Sequence, residues 1–276
     1  MTNKGIPLYI YISEHGFGHR ARATAISDAW PGKDIWRLPK SDDSLGIVLI
    51  DCIYKQDEEA LLSRNEIVGQ AQELGHLVVE ISDYGITSPA DIVIHYAHPE
   101  NRVIGKRRIA LQGPNYFPLS SRFERITAGT GFAISIIPGS AGHFGAIEDS
   151  LDSVGMHPQV LKGLEPEVYA DRLGMSDIII APPSVSAWEG VALGKMVFLI
   201  QTADNQKRSY DTLIKLGVAL PYSDGHFIDH IKDIELRKVM AERCKRVVDG
   251  KGTDRIVEAI RQLYDDKART KVDFVP

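Results

Sequence analysis

His19 is the residue whose type and setting point most directly to chemistry. It closes the run His15-Gly16-Phe17-Gly18-His19, set between an apolar run at Leu8–Ile12 and a helical pattern over 20–30. Paired glycines between a strand and a helix let backbone N–H groups approach a ligand closely. An imidazole titrates near neutral pH and takes a proton from water or a hydroxyl. Glycine turns also serve plain packing, and a solvated loop histidine is the competing reading. A second group lies in the stretch 176–206, SDIIIAPPSVSAWEGVALGKMVFLIQTADNQ. Pro182 and Pro183 end a short isoleucine-rich strand. Ser186-Ala187-Trp188-Glu189 then matches the S-x-x-E pattern that opens a helix. Asn205 and Gln206 follow the next strand. Both turns lead into helix N-termini, which favour anions such as phosphate. Against this stand a Glu189 that only caps its helix, a Trp188 that is core, and an Asp204 that is one more cap.

The elements that must hold these residues follow from the apolar pattern. Strands are expected at Leu8–Ile12, 34–38, 46–52, 76–82, 90–95 and 107–112, with a helix over 58–74 stopped by Gly75. Asp51 lies at the carboxyl end of one of these strands, and Asp83-Tyr84-Gly85 follows another. Gly113-Pro114-Asn115-Tyr116 breaks regular structure. Thr127-Ala128-Gly129-Thr130-Gly131 reads as a hinge. Beyond it the pattern restarts: a strand over 132–137, a glycine-rich turn at Pro138–Gly142, a helix over 143–154, a short strand over 159–162 and a helix over 165–173. Strand, helix and strand over 177–200 form a βαβ unit, and helices over 205–216, 228–249 and 254–265 complete the chain, with 267–276 expected to fray. The reading is α/β: two Rossmann-like doubly wound domains, 1–125 and 131–276, facing a central cleft. Ligands in such sheets bind outside the carboxyl ends of the strands.

Composition narrows the partners. The chain has 276 residues, 43% hydrophobic and 25% charged, with a formal net charge of −5, so nothing global favours nucleic acid or an anionic membrane. Its longest apolar runs are strand-sized, and residues 1–5 lack the apolar segment of a signal peptide. Cys52 and Cys244 lie far apart and give neither a metal-site spacing nor a disulfide framework, which suits a reducing, cytoplasmic setting. His95 and His98 lack further ligands at metal spacing and read as rim histidines. No cofactor and no metal are expected.

In this order the motifs resemble the nucleotide-sugar hydrolases of pseudaminic acid biosynthesis, the PseG family, close relatives of the GT-B glycosyltransferase that builds the peptidoglycan lipid intermediate. The family's G-x-G-H-x-x-R matches Gly16, Gly18, His19 and Arg22. Its aspartate after a buried strand matches Asp51, and its second acidic turn matches Asp83. Its G-P-x-Y-x-x-L segment matches Gly113, Pro114, Tyr116 and Leu119, with Phe123 after it. Its W-E, L-G and N-Q signature matches Trp188, Glu189, Leu193, Gly194, Asn205 and Gln206. The matches run along most of the chain.

The resemblance implies a GT-B-like fold and a UDP-sugar substrate. UDP would lie on the second domain, with Glu189 accepting from the ribose hydroxyls and Ser184 to Ser186 holding the pyrophosphate. Asn205 and Gln206 would face the sugar or the β-phosphate. Gly16, Gly18, Arg22, Asp51 and Tyr116 would line the substrate side of the first domain. His19 would be the general base that activates water, releasing UDP without a metal. The chain departs from the family at Pro183-Ser184-Val185, where glycine is usual, and at Ser120, where arginine is usual. It departs again at Cys52 and Ile53, which replace a histidine and a tyrosine, and in the short region 30–46. These departures keep two alternatives open, a GT-B glycosyltransferase with a nucleotide-sugar donor and a non-catalytic nucleotide-sugar-binding protein.

Overall fold

In a computed structural model of the chain the described residues are 5–12, 17–51, 58–83, 85–105, 108–126, 132–139, 144–222 and 227–272. They form two compact units. One comprises Met1–Tyr96, Glu100–Pro118 and Lys251–Pro276, the other Ala97–Pro99 and Leu119–Gly250.

The first unit opens with β1 (Leu8–Ile12), α1 (Phe17–Ala29), β2 (Asp34–Ile35), β3 (Ile47–Asp51), α2 (Glu58–Glu73) and β4 (Leu77–Ile81). It continues with β5 (Ile92–His95), β6 (Arg102–Ile104), β7 (Ile109–Gln112) and a 3-10 turn, Pro114–Tyr116. These strands make a seven-stranded sheet in the order β2-β1-β3-β4-β5-β7-β6. All neighbours are parallel except β6 on β7. Ile47 to Asp51 and Leu77 to Ile81 are buried at every residue, as strands covered on both faces must be. Tyr9, Val48, Ile50 and Val78 of the sheet pack with Val68 and Ala71 of α2 into one core.

The second unit begins with the 3-10 turn Ser121–Arg125, then β8 (Ile134–Ile136), α3 (Gly145–Asp152), β9 (Gln159–Val160), α4 (Pro166–Met175), β10 (Ile178–Ala181) and α5 (Val185–Ala192). It goes on through β11 (Met196–Leu199), the 3-10 turn Asp204–Gln206, α6 (Lys207–Lys215), β12 (Leu220–Pro221), α7 (Phe227–Lys232) and α8 (Ile234–Val247). Its five-stranded parallel sheet has the order β12-β11-β10-β8-β9. Ile134, Ile136, Ile178, Ile180 and Phe198 of the sheet pack with Ile147 and Leu151 of α3 and Phe227 of α7. The last helix, α9 (Gly252–Val272), belongs to the first unit, where it meets α1 and the Pro114–Tyr116 turn. Its Lys267 reaches Asp91 at 2.5 Å.

Several expectations change. The first sheet gains β6, an edge strand whose Val103 is exposed and which therefore leaves no apolar signal. The helix expected over 228–249 is two helices, because the Asp233 side chain accepts from Leu236 N at 2.9 Å and caps a new start. The segment after 267 does not fray at once: α9 runs on to Val272. The domain boundaries differ as well, since 119–125 group with the second unit and 251–276 with the first. The hinge at 127–131 lies outside the described residues.

Both sheets share one device. In the first, the chain goes from β1 to β2 on one side, then crosses back to β3 on the other. In the second it goes from β8 to β9, then crosses back to β10. The loops leaving β1 and β3, and those leaving β8 and β10, therefore part in opposite directions. Each sheet has its switch point there, where α/β sheets bind ligands.

Candidate active site

The first switch point gathers four side chains around Arg22. α1 follows β1 and begins at Phe17, so Gly18 and His19 sit in its first turn and not in a loop. His19 is 6% exposed and Arg22 2%, which removes the solvated-histidine reading. The two residues are three apart and share a helix face. Asp51, the last residue of β3, is 0% exposed. Asp83 follows β4 and Tyr96 follows β5.

Arg22 uses every donor it has. Nε donates to Asp51 Oδ2 at 2.9 Å and Nη2 to Asp51 Oδ1 at 2.7 Å, a two-point fork. Nη1 donates to Asp83 Oδ1 at 2.5 Å and to the Tyr96 hydroxyl at 2.6 Å, while Nη2 also reaches Asp83 Oδ2 at 3.3 Å. These contacts account for the five N–H groups of a guanidinium. His19 Nδ1 lies 2.6 Å from Asp51 Oδ1 and 2.9 Å from Arg22 Nη2. A carboxylate oxygen can only accept, so at 2.6 Å Nδ1 carries the proton and donates it to Asp51. In the neutral ring Nε2 is then the acceptor, the tautomer a general base requires.

Charge keeps the cluster together. Burial pushes the Arg22 guanidinium down, but the Asp51 and Asp83 carboxylates outweigh it and hold it well above its ordinary value. Burial pushes Asp83 up, and Arg22 overcomes that and holds it below the usual carboxylate range. Tyr96 is raised by burial and packs edge-on against Phe117, with centroids 5.1 Å apart. Arg22 and Asp51, expected on the substrate side, thus spend their polar atoms on each other and on His19. Tyr116 ends the 3-10 turn after β7, on the same rim. That turn is set by Gly113 at φ 107°, where a Cβ would lie 2.5 Å from the Glu100 carbonyl. Gly16 lies outside the described residues.

At the second switch point two turns meet. Gly139 has φ 65°, and a Cβ there would lie 3.1 Å from Pro182 Cγ. The rest of the glycine-rich turn, 140–143, lies outside the described residues. Ser184, not Ser186, is the N-cap of α5, in extended backbone and with no capping bond from its hydroxyl. The S-x-x-E pattern is thus displaced by two residues, because Pro182 and Pro183 end β10 and the chain turns helical at once. Glu189 forms no capping box. It is 7% exposed and accepts from the Tyr169 hydroxyl of α4 at 2.9 Å on Oε2. Burial pushes Glu189 up to about 7, against the pull of that hydrogen bond. Burial and the Glu189 charge raise Tyr169 well above the usual phenol, while the Ser186 hydroxyl bonds to it and lowers it. Trp188 is core: it is 0% exposed, and its Nε1 donates to Ser209 Oγ at 2.7 Å. Val185 is turned into the protein at 9% exposure.

The Thr202–Gln206 turn leaves β11. Asn205 is exposed. Gln206 is spent within the turn: its Oε1 accepts from Thr202 N at 2.8 Å and Ala203 N at 3.2 Å. The structure therefore unites His19, Arg22 and Asp51 in one cluster, and Ser184, Ser186 and Glu189 on one helix end. It gives Gln206 a structural bond where a ligand contact was expected. Tyr96 and Tyr169 were missed by the sequence reading. Each is an ordinary tyrosine near a strand end or inside a helix, and no local motif marks it. Among the described residues no three of His, Cys, Asp and Glu gather as metal ligands, and no helix is long and apolar enough to cross a membrane.

No protein-family model and no curated protein matches the sequence. Solved structures do match. MurG of Acinetobacter baumannii superposes with a TM-score of 0.55 at 12% identity, over 93% of this chain and 99% of that one. The glycosyltransferase of kitacinnamycin gives 0.54 at 11% identity, over 95% and 99%. CalG4, the calicheamicin glycosyltransferase, gives 0.54 at 10% identity, over 95% and 98%. The chain has their fold, the GT-B fold of two Rossmann-like domains.

Proposed function

We propose that the protein is a nucleotide-sugar hydrolase that releases UDP from a UDP-linked amino sugar, with His19 as general base and without a metal. The observation that carries this is the His19 Nδ1 to Asp51 Oδ1 bond at 2.6 Å, which fixes a buried imidazole with Nε2 as its basic nitrogen. Water hydrogen-bonded to Nε2 gives up its proton as it attacks, and Asp51 stabilises the imidazolium that forms. Arg22 holds Asp51 in place and is a positioning residue. On the second unit, the α5 N-terminus and the Ser184 and Ser186 hydroxyls receive the diphosphate. Glu189 Oε1 accepts from the ribose while Tyr169 holds Oε2. Asn205 lies on the adjacent turn and faces the sugar side. The buried free thiol of Cys244 suits a reducing, cytoplasmic setting.

A transferase reading uses the same base on an acceptor hydroxyl in place of water, and the similar structures, each a glycosyltransferase by name or MurG, favour it. Calorimetry of UDP with wild type and Glu189→Ala tests the nucleotide site, where the variant is expected to lose binding. Free UDP release from a panel of UDP-sugars then tests the base. His19→Ala should lower turnover by about 10²–10⁴-fold and leave UDP affinity unchanged. Unchanged turnover removes His19 from the chemistry, and turnover that requires an added sugar acceptor selects the transferase.

A further inference from the structure

Arg22 orders Asp51 but also works against the base that Asp51 serves. Its Nη2 lies 2.9 Å from His19 Nδ1, the nitrogen that already holds a proton. When His19 takes a second proton at Nε2 the ring becomes a cation, and a cation at that distance opposes it. Asp51 Oδ1 attracts the imidazolium from 2.6 Å and Arg22 Nη2 repels it from 2.9 Å. The two unit charges are opposite and almost equally close, so this pair alone gives the imidazolium little net attraction.

Asp83 changes the balance. Its Oδ1 accepts from Arg22 Nη1 at 2.5 Å and its Oδ2 from Nη2 at 3.3 Å. The same Nη2 touches His19, so Asp83 Oδ2 is no more than about 6 Å from the imidazole, close enough for its charge to be felt there. With the ring neutral, one guanidinium faces two carboxylates; with the ring protonated, two cations face two anions. The charges balance only after the proton has been taken. Until then the surplus anion costs little, because Asp83 is where water reaches the cluster: its side chain is 38% exposed, against 0% for Asp51. Three other titratable groups act on these residues. Tyr96 accepts from Arg22 Nη1 at 2.6 Å, and His95 Nδ1 donates to the Ser82 carbonyl at 2.9 Å. Glu80 lies on the α2 face of the sheet, 3.8 Å from Arg64. All three stay in place when Asp83 alone is changed.

We propose that Asp83 neutralises Arg22, so that the charge of Asp51 remains available to the imidazolium formed at His19. Asp83 acts through Arg22 and is a positioning residue, not a catalytic one. Arg22 can then hold Asp51 in its fork without penalising the proton transfer that Asp51 supports. The proposal rests on the reading of His19 as general base and deepens it by naming what offsets the guanidinium.

Two substitutions separate charge from shape. Asp83→Asn keeps the shape and an acceptor for Arg22 and removes the charge; Asp83→Glu keeps the charge and changes the reach. Protonation of His19 is followed by NMR of its ring proton, assigned from the signal lost in His19→Gln, and turnover by UDP release from UDP-sugars against pH. In Asp83→Asn the ring should lose its proton at a pH lower by about 0.5–2, the range that unit charges some 6 Å apart give between bulk water and the protein surface. The acid limb of kcat/KM should move with it, and kcat should fall while KM stays. Asp83→Glu should lie closer to wild type on each measure. Added salt should narrow the gap between wild type and Asp83→Asn, because Asp83 is partly open to solvent. A ring that titrates at the same or a higher pH in Asp83→Asn overturns the proposal, whatever turnover does. So does an Asp83→Glu variant as impaired as Asp83→Asn, since shape and not charge would then matter. A lowered ring titration with an unmoved acid limb keeps the counter-charge and removes His19 as the base.

Discussion

The two units wind alike and charge their switch points differently. β2-β1-β3-β4-β5 in the first sheet has the same order as β9-β8-β10-β11-β12 in the second, and each crosses back at its first strand. Each also buries a carboxylate near that point, Asp51 at 0% exposure and Glu189 at 7%. In the first unit Arg22 sits between Asp51 and Asp83 and fills all of its donors. In the second the partner of Glu189 is a phenol, Tyr169. A guanidinium overcomes burial and keeps Asp83 below the usual carboxylate range, whereas a single neutral donor leaves Glu189 raised to about 7. Burial alone therefore does not decide ionisation. The charge of the partner matters as well, and one fold used twice yields one carboxyl, Asp83, held below its ordinary range and another, Glu189, pushed up to about 7.

The largest effect is expected from removing the cation. Arg22→Met leaves the buried Asp51 and the more exposed Asp83 without their shared partner, and breaking the buried Arg22–Asp51 pair in this way costs about 3–5 kcal/mol. Urea unfolding measures it. Adding Asp83→Asn should recover part of the loss, because one uncompensated carboxylate is gone. A loss below about 1 kcal/mol, the worth of a surface ion pair, would mean that water reaches the cluster and the contrast between the units is false.

The second unit should answer in the opposite sense. Glu189 binds its proton more tightly folded than unfolded, so the native state holds more protons between the ordinary glutamate value and about 7. Stability from this group falls as pH rises through that window. The shift from the ordinary carboxyl to about 7 corresponds to about 3 kcal/mol, fully expressed above pH 7. Glu189→Gln keeps an acceptor for Tyr169 and removes the charge. It should match wild type near pH 5 and exceed it by up to about 3 kcal/mol near pH 8. Asp83, held low, has the reverse sign: its contribution is present above the ordinary aspartate value and is lost as pH falls below it. Glu80 is also raised by burial, so the wild-type curve alone mixes groups and the difference from Glu189→Gln is the quantity to read. Curves that run parallel from pH 5 to pH 8 would show that Glu189 is ionised throughout.

Much of this was legible in the chain. Short β-branched runs such as IVLID and LVVEI are strand-length and continuously apolar, and they became the buried strands β3 and β4. His19 and Asp51 could be singled out because each stands at a helix start or strand end, where α/β sheets place their chemistry, and Glu189 because it follows such a turn closely. Arg22 and Asp83 were named through the motif match, but their pairing was not, and Tyr96 and Tyr169 were not named at all. Arg22 reaches Asp83 across 61 positions and Tyr96 across 74, and no local pattern encodes such pairs. The start of α5 was misread for a related reason. Ser184 and Ser186 both fit an N-cap, and the choice between them depended on where β10 released the chain. The edge strand β6 escaped because its backbone pairs with β7 while its side chains face water, and periodicity reports burial and not pairing. The last helix was assigned by sequence order, but α9 packs on the unit where the chain began.

The smallest effect is the sharpest test of the comparison. Tyr169→Phe removes the hydroxyl that donates to Glu189 Oε2 at 2.9 Å. That bond pulls the carboxyl down, so its loss should raise Glu189 further and move the alkaline fall in stability to higher pH. The cost should be about 1 kcal/mol near pH 8, where the carboxylate has lost its donor, and smaller near pH 5, where the group is protonated. In a Glu189→Gln background the same change should cost equally at both pH values, because no charge is left for the hydroxyl to serve. A pH-independent cost in the wild-type background as well would mean that Tyr169 supports packing against α5 and not the charge of Glu189. The partner that sets ionisation in the second unit would then have to be sought elsewhere, and the symmetry drawn between Arg22 and Tyr169 would fail.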